Sequence, residues 1–218
     1  MLRVGLTGGL GSGKSTAAAM FREQGIHLLE ADAIARSMMQ PGEAVYRAIV
    51  EHFGPSVVRP DGALDRARLA ALAFGQGRLA ELNRIVHPPV VAEQERRTQE
   101  IFASHPQAVV MIESALIFEA EAWGTAPGWR RRFDRVILIQ APDDLKIERF
   151  LARILPADVS SEQRAAAEAD ARARLAAQLP DAEKAARSDY VIDNSGALDA
   201  TRRQVERIAA ELRAQAGV

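Results

Sequence analysis

A short glycine-rich stretch constrains the fold of this 218-residue chain more than any other feature of its sequence. Residues 8–15 read GGLGSGKS and match the pattern G-x-x-x-x-G-K-[ST]. An apolar run, Leu2–Thr7, precedes the stretch, and a helical pattern from Lys14 to Glu23 follows it. Glycines allow the tight turn in which successive N–H groups point into one concavity, and the next helix directs its positive end there. The stretch therefore predicts a strand, a phosphate-binding loop and a helix in succession.

The residues of this loop have predictable tasks. The N–H groups of Gly11, Ser12 and Gly13 are expected to surround the phosphates of a nucleoside triphosphate. Lys14 would reach the β- and γ-phosphates as a compact charge, and the Ser15 hydroxyl would bind Mg²⁺. The pattern predicts nucleotide binding but does not distinguish a kinase from a GTPase or a motor ATPase.

Four further apolar runs are typical of buried strands. They are Ile26–Leu29, Ala108–Ile112, Arg135–Ile139 and Tyr190–Ile192. Helical patterns follow the last two runs, at about 143–153 and 198–215. Because strands and helices alternate, we predict a three-layer α/β fold of the P-loop NTPase type with a five-stranded, mostly parallel sheet.

Two stretches lie outside this alternation. Residues 33–103 look mostly helical and predict an insert that covers one end of the sheet, with a helix break at His87-Pro88-Pro89. Residues 154–187 are rich in Ala, Arg and Glu and have little apolar periodicity. This second stretch predicts either a solvated helical hairpin or a lid that carries arginines, and periodicity alone favours the hairpin.

The composition excludes several classes of function. The formal net charge of −1 gives no overall attraction to nucleic acid, and no run of 18 apolar residues predicts a membrane span. The absence of cysteine excludes disulfides, thiolate metal sites and cysteine nucleophiles. We therefore expect a cytoplasmic protein that binds neither nucleic acid nor membrane, and no obligate protein partner is evident. Of the 28 basic residues only three are lysines, which draws attention to Lys14.

Asp32 is the residue that favours a small-molecule kinase. It follows the second predicted strand, at the end of the sheet where folds of this type bind their ligands. A kinase needs a carboxylate there to orient an acceptor hydroxyl, although Asp32 could equally cap the next helix. Arg149 and Arg153 lie four residues apart on one helix and could bind phosphate oxygens or be ordinary surface arginines.

An ordered set of segments resembles the dephospho-coenzyme A kinase family. They are residues 5–16, 30–36, 61–66, 86–88, 116–119, 173–178 and 188–196. The resemblance extends from Leu2 to about Val205, nearly the whole chain. It implies ATP-dependent phosphorylation of the ribose 3′-hydroxyl of dephospho-coenzyme A, the last step of coenzyme A biosynthesis. It also implies ATP as the phosphoryl donor, Mg²⁺ as the metal and dephospho-coenzyme A as the partner substrate.

The resemblance carries over to individual site residues. It implies a catalytic set made of Asp32, Lys14 and Arg153. The substrate site would contain Asp32, Arg36, His87 and Arg174. The residues that it adds to the ATP site are Thr16 and Asn194. The chain departs from the family at Ile154, where Asp is usual, and in a longer segment after it.

Two alternatives stay open at this stage. A kinase that uses another nucleoside or nucleotide as acceptor would share the loop and Asp32 but would differ around His87. A nucleotide-dependent binding switch would act on a protein partner and would need no acceptor hydroxyl.

Overall fold

The expected five-stranded sheet is present in the computed structural model, which describes residues 1–156 and 158–217 and all their side chains except that of Phe74. The strand order is β2-β3-β1-β4-β5. The strands are β1 (Leu2–Gly8), β2 (His27–Glu30), β3 (Val109–Glu113), β4 (Arg135–Gln140) and β5 (Tyr190–Asp193). The five strand predictions are confirmed to within one residue at each end.

Helices connect and cover the strands. Helices α1 to α11 span Lys14–Glu23, Ala31–Met38, Ala44–Phe53, Arg66–Ala70, Leu79–Ser104, Ile117–Ala122, Trp129–Arg132, Asp143–Ile154, Ser161–Ala176, Asp181–Ala185 and Leu198–Ala216. A 3₁₀ turn at Pro55–Val57 and a π-helical turn at Ala71–Gly75 complete the regular structure of the described residues. None of the helices within residues 1–156 and 158–217 is long and apolar enough to cross a membrane.

The register of the sheet brings the carboxyl ends of its strands together. Strand β1 pairs in parallel with β3 and β4, and β4 pairs in parallel with β5. Leu6 lies opposite Glu113, and Gly8 lies opposite Ile139. The chain therefore leaves β1, β3 and β4 at the same end of the sheet, beyond the carboxyl ends of the strands, where ligands bind in folds of this class.

Apolar side chains cover the two faces of the sheet. On one face, Met111 and Ile139 pack with residues of α1 and α11 such as Phe21 and Ile208, all of them buried. On the other face, Ile112 and Val136 pack with side chains from α6 and α7. Because neighbouring strand residues point to opposite faces, the continuous apolar strands are explained by burial on both sides. This arrangement is the expected three-layer α/β fold.

The chain divides into two compact units. The second unit consists of Glu30–Glu100 and Ala120–Gly128, and the first contains the other described residues. The second unit has its own apolar core, in which Val45, Ile49 and Phe53 of α3 are buried. The segment Ala120–Gly128 belongs to this unit although it follows β3 in sequence, and the sequence pattern gave no sign of this.

The helix break expected at His87-Pro88-Pro89 is wrong. Helix α5 runs through both prolines and is 26 residues long. The fixed φ of proline, near −65°, is compatible with a helix, so the cost lies in the missing N–H groups and the ring contacts with the preceding turn. A helix of this length retains many other backbone hydrogen bonds on both sides of the two prolines.

The stretch predicted as a hairpin or lid forms α9 and α10. Ser160 and Gln163 form a capping box at the start of α9. Ala171 of α9 is buried against Phe150 and Leu151 of α8, while most other residues of α9 are exposed. The helix is therefore attached along one narrow apolar stripe, which explains its weak periodicity.

Candidate active site

The phosphate loop, Gly8–Ser15, has a shape that only glycine allows at two positions. Gly11 and Gly13 have φ angles of 71° and 86°, in the left-handed region. A Cβ on Gly11 would lie 2.0 Å from the backbone oxygen of Lys146, and one on Gly13 would lie 2.1 Å from Asn194 Nδ2. Both glycines are therefore required by backbone conformation and by close neighbours.

A carboxylate from β3 holds the two functional side chains at the end of the loop. Lys14 Nζ lies 2.5 Å from Glu113 Oε1, and Ser15 Oγ donates a hydrogen bond of 3.0 Å to the same oxygen. Glu113 is 8% exposed, at the carboxyl end of its strand. The low exposure strengthens the attraction between Lys14 and Glu113, and the contact orients both loop side chains.

The donor set at this point fits Mg²⁺. A serine hydroxyl and a carboxylate, Ser15 and Glu113, are the hard oxygen ligands that this ion prefers. Among the described residues, no group of three or more His, Asp and Glu side chains could hold a metal ion. Mg²⁺ at Ser15 would thus depend on phosphate oxygens and water for the rest of its coordination.

Asn194 connects the loop after β5 to the phosphate loop. Its Nδ2 donates to the backbone oxygen of Ser12 at 2.8 Å, and its Oδ1 accepts a bond of 2.7 Å from the Thr201 hydroxyl. Its backbone oxygen accepts a bond of 2.8 Å from Arg149. Next to it, hydrogen bonds from the side chain and backbone N–H of Ser195 hold the pKa of Asp193 below its usual value. Asn194 is therefore a structural element of the nucleotide site.

A cavity of about 330 Å³, called here the loop cavity, gathers most of the predicted nucleotide residues. The predicted residues among its lining are Gly11, Gly13, Thr16, Arg153 and Asn194. Arg149 also lines the loop cavity, so the two arginines of α8 do share a face. Two guanidinium groups and the positive end of α1 make this cavity suitable for an anionic nucleotide.

Gln178, which lies between α9 and α10, contacts the phosphate loop. Gln178 Oε1 accepts a hydrogen bond of 3.3 Å from the backbone N–H of Leu10. Lys146 lies beneath the same part of the loop, and its Nζ is 2.5 Å from Asp181 and 3.1 Å from Asp143. The stretch predicted as a lid therefore has a direct polar contact with the loop through Gln178.

A buried ion pair anchors α10 through Lys184, in its last turn. Lys184 Nζ lies 2.7 Å from Glu119 Oε1, and the two side chains are 0% and 2% exposed. The two groups are close but not aligned for a hydrogen bond, whereas Leu179 N–H donates a bond of 3.1 Å to the same Glu119 oxygen. Glu119 thus holds the chain directly after Gln178.

The second unit contains two of the predicted substrate residues in one cavity. This insert cavity has a volume of about 770 Å³, and Asp32 and Arg36 line it. Helix α2 begins at Ala31 with Glu30 as its N-cap, so the alternative role of Asp32 as the capping residue is wrong. Among the described residues, the side chain of Asp32 forms no hydrogen bond or ion pair.

His87 and Arg174, the other two predicted substrate residues, lie outside both cavities. His87 Nδ1 is 2.7 Å from the Thr125 hydroxyl, and its ring stacks on Trp123 with the centroids 6.4 Å apart. Arg174 is exposed on α9 and donates to Asp170 Oδ2 at 2.7 Å on the same helix. Neither residue lines the loop cavity or the insert cavity, and their substrate roles stay predictions.

Sequence reasoning did not assign Glu113, Gln178 or the Glu119–Lys184 pair to the site. A usable signal existed for Glu113, since an acid directly follows the apolar residues of a predicted strand. For Lys146 and Lys184 the signal was their rarity in a chain whose other basic residues are arginines. The hydrogen bond from Leu10 to Gln178 joins residues far apart in sequence and left no local signal.

Comparison with known proteins identifies relatives over nearly the whole chain. The model of the dephospho-CoA kinase family matches residues 2–200. Dephospho-CoA kinase of Symbiobacterium thermophilum is 41% identical over 204 residues, which cover 93% of this chain and 78% of that protein. A Thermus thermophilus structure, TT1252, has a TM-score of 0.73 at 32% identity and covers 97% of each chain. Dephospho-CoA kinase from Campylobacter jejuni has the same fold, with a TM-score of 0.64 at 21% identity over 98% of each chain.

Proposed function

Because this chain belongs to the dephospho-CoA kinase family, we infer that it transfers the γ-phosphoryl group of ATP to the ribose 3′-hydroxyl of dephospho-CoA. The products are CoA and ADP, and the reaction is the last step of CoA biosynthesis. The contact of Lys14 and Ser15 with Glu113 is the observation that carries this inference, because it aligns a cation and a hydroxyl at the end of a phosphate loop. The rest of this proposal assigns steps to individual residues.

The phosphate loop binds the triphosphate of ATP. Its N–H groups donate to phosphate oxygens, and Lys14 leaves Glu113 in part to bind the β- and γ-phosphates. Ser15 would hold Mg²⁺, with Glu113 orienting its hydroxyl. When bound, the ion offsets the negative charge on the β- and γ-oxygens. The loop cavity receives the nucleoside end of ATP beside Asn194 and Arg149.

Asp32 orients the 3′-hydroxyl of the acceptor and takes its proton. Its place directly after β2, its lack of a partner among the described residues and the family resemblance support this role. A carboxylate that already held a hydrogen bond or an ion pair would be a weaker proton acceptor. Arg36 and His87 belong to the same acceptor site in this proposal.

Arginines close over the phosphoryl group during transfer. Arg153 is the strongest candidate, because the family resemblance implies this role and because Gly11 and Gly13 of the phosphate loop line the same cavity. Arg174 would join it if α9 moves when both substrates bind. Excluding water in this way suppresses hydrolysis of ATP.

Replacing Asp32 with Asn tests the proposal. The variant should lose about 10²- to 10⁴-fold in kcat for dephospho-CoA, because Asn accepts no proton, while its Kd for ATP stays unchanged. The measurement is ADP release with and without dephospho-CoA, with the mass of the product checked for one added phosphate. Glu51→Gln, an exposed acid on α3, is the matched control and should keep its kcat. An unchanged kcat in Asp32→Asn would remove Asp32 from the mechanism.

The same assay separates the alternatives. A kinase for another acceptor would release ADP faster with a different nucleoside or nucleotide, and a binding switch would hydrolyse ATP slowly whatever acceptor was added. We propose a cytoplasmic location, since the cysteine-free chain suits a reducing compartment that supplies ATP. The proposed reaction requires no protein partner and no nucleic acid.

A further inference from the structure

Lys146 is a buried cation that the proposed mechanism does not use. It lies near the start of α8, and its side chain is 2% exposed. Its Nζ lies 2.5 Å from Asp181, the first residue of α10, and 3.1 Å from Asp143. Asp181 is 20% exposed and Asp143 is 71% exposed, so water screens the pair with Asp181 less. Because a buried ammonium group is costly unless it is paired, the position of Lys146 depends mainly on Asp181.

The phosphate loop lies against this lysine. A Cβ on Gly9 would lie 3.6 Å from Lys146 Nζ, and one on Gly11 would lie 2.0 Å from the backbone oxygen of Lys146. The lysine therefore meets the loop at two glycines, once through its side chain and once through its backbone. Between these glycines, the N–H of Leu10 donates to Gln178 Oε1 at 3.3 Å. Lys146 and Gln178 thus hold the phosphate loop at three successive residues.

Asp181 connects these two contacts. It follows Gln178 closely in sequence, and Pro180 between them is the N-cap of α10. Because proline has a fixed φ, the short segment has little freedom, and a shift of Asp181 would move Gln178 as well. Helix α9 ends at Ala176, directly before this segment. A closed path of contacts therefore runs from the phosphate loop through Lys146 and Asp181 to Gln178 and back to the loop.

We propose that Lys146 is a positioning residue for ATP, and that its ion pair with Asp181 keeps Gln178 and the phosphate loop in the arrangement that binds the phosphates. Asp181 offsets the charge of Lys146, so the lysine acts through the loop and is not itself a ligand of ATP. This inference rests on one part of the proposed function, the binding of ATP by the phosphate loop, and does not depend on which acceptor is phosphorylated.

The test compares Lys146→Met, Asp181→Ala and the double variant with the wild type. The Kd for MgATP, measured by calorimetry without an acceptor, should rise about fivefold in each variant, because the loop loses its support. The double variant should lose no more affinity than a single one, since both substitutions break the same path. The amide hydrogen of Leu10 should exchange faster in all three, because its bond to Gln178 is released. The kcat at saturating ATP should change less than about twofold, as expected when only ground-state binding is lost.

Stability separates a positioning role from a merely structural one. Each single variant leaves a charge without its main partner and should unfold at a lower urea concentration. The double variant removes both charges, so its stability should recover while its Kd for ATP stays high. Asp144→Asn is the matched control, because Asp144 lies on the same turn of α8, is 87% exposed and pairs with Arg172. It should bind ATP like the wild type.

Three results would overturn the proposal, and they differ from one another. An unchanged Kd for ATP in Lys146→Met would show that the lysine does not position the loop. Tighter binding of ATP by Asp181→Ala would show that Lys146 attracts ATP by its charge and not through its ion pair. Recovery of both stability and ATP affinity in the double variant would reduce the pair to a structural contact. A wild type that bound ATP but did not phosphorylate dephospho-CoA would refute only the proposed function, and one that did not bind ATP would refute both.

Discussion

The three lysines of the chain and two arginines that line the insert cavity, Arg36 and Arg66, hold their charges in opposite ways. The side chains of Lys14, Lys146 and Lys184 are 13%, 2% and 0% exposed, and each lies within 3.1 Å of a carboxylate. Arg36 and Arg66 are exposed and have no ion pair among the described residues. The three lysines are therefore neutralised by the protein's own acids, whereas the charges of Arg36 and Arg66 are not offset within the described residues.

The chemistry of the two side chains explains this division. Lysine carries a compact ammonium group on a flexible stem, which can enter a narrow buried position beside a carboxylate. Arginine presents a planar fork that matches phosphate oxygens.

Lys184→Met should have the largest effect, because it breaks the most buried pair. Glu119 would remain 2% exposed without its cation, and a change of this kind costs about 3–5 kcal/mol of stability. Unfolding in urea measures the free energy. Adding Glu119→Gln should recover most of the loss, since Gln carries no charge and can still accept the hydrogen bond from Leu179 N–H. If Lys184→Met unfolded within about 1 kcal/mol of the wild type, the pair would not be the anchor described here.

Lys14→Arg should have the next largest effect, and it acts on the reaction. The substitution keeps the charge, but the fork cannot occupy the position 2.5 Å from Glu113 and reach the phosphates as a point charge. We expect kcat to fall about 10²- to 10³-fold, the range for loss of one preorganised donor. Arg22→Lys, the opposite exchange at an exposed position of α1, should leave kcat unchanged. A Lys14→Arg enzyme with normal kcat would mean that shape does not matter at this lysine.

Local patterns were sufficient to predict the sheet and the phosphate loop. The strands are buried on both faces, so each appears as an apolar run, and the loop depends on glycines at fixed spacing. These features are set by neighbouring residues. They are visible without knowledge of the rest of the chain.

Contacts between distant residues were beyond such patterns. The hydrogen bond from Asn194 to Ser12 spans 182 positions in sequence, and the contact of Glu113 with Lys14 spans 99. Helix α2 begins at Ala31, one residue before Asp32, so Asp32 is not its N-cap. Helix α5 continues through Pro88, although the local propensity of proline opposes a helix. The sequence therefore indicated which residues matter more reliably than what each of them touches.

The smallest expected effect comes from replacing one glycine in each of the two compact units with alanine. Gly13 and Gly42 both have positive φ, 86° and 93°, but only Gly13 has a close neighbour, Asn194 Nδ2. Gly42→Ala should therefore cost about 1 kcal/mol of stability from backbone strain alone. Gly13→Ala should cost somewhat more and should also raise the KM for ATP, because Asn194 must move away from the phosphate loop.

The measurements are the unfolding free energy and the KM values for ATP and dephospho-CoA of the two glycine variants. They decide how rigid the phosphate loop is. Equal losses of stability with an unchanged KM for ATP would mean that the phosphate loop adapts to an added methyl group. The phosphate loop would then be as adaptable as the turn at Gly42, and the contrast between paired lysines and unpaired arginines would not extend to the backbone. If the KM for ATP rises in Gly13→Ala alone, the phosphate loop is rigid because of its contact with Asn194. Gly42 has no neighbour within 4 Å of an added Cβ, so its turn can accept the methyl group.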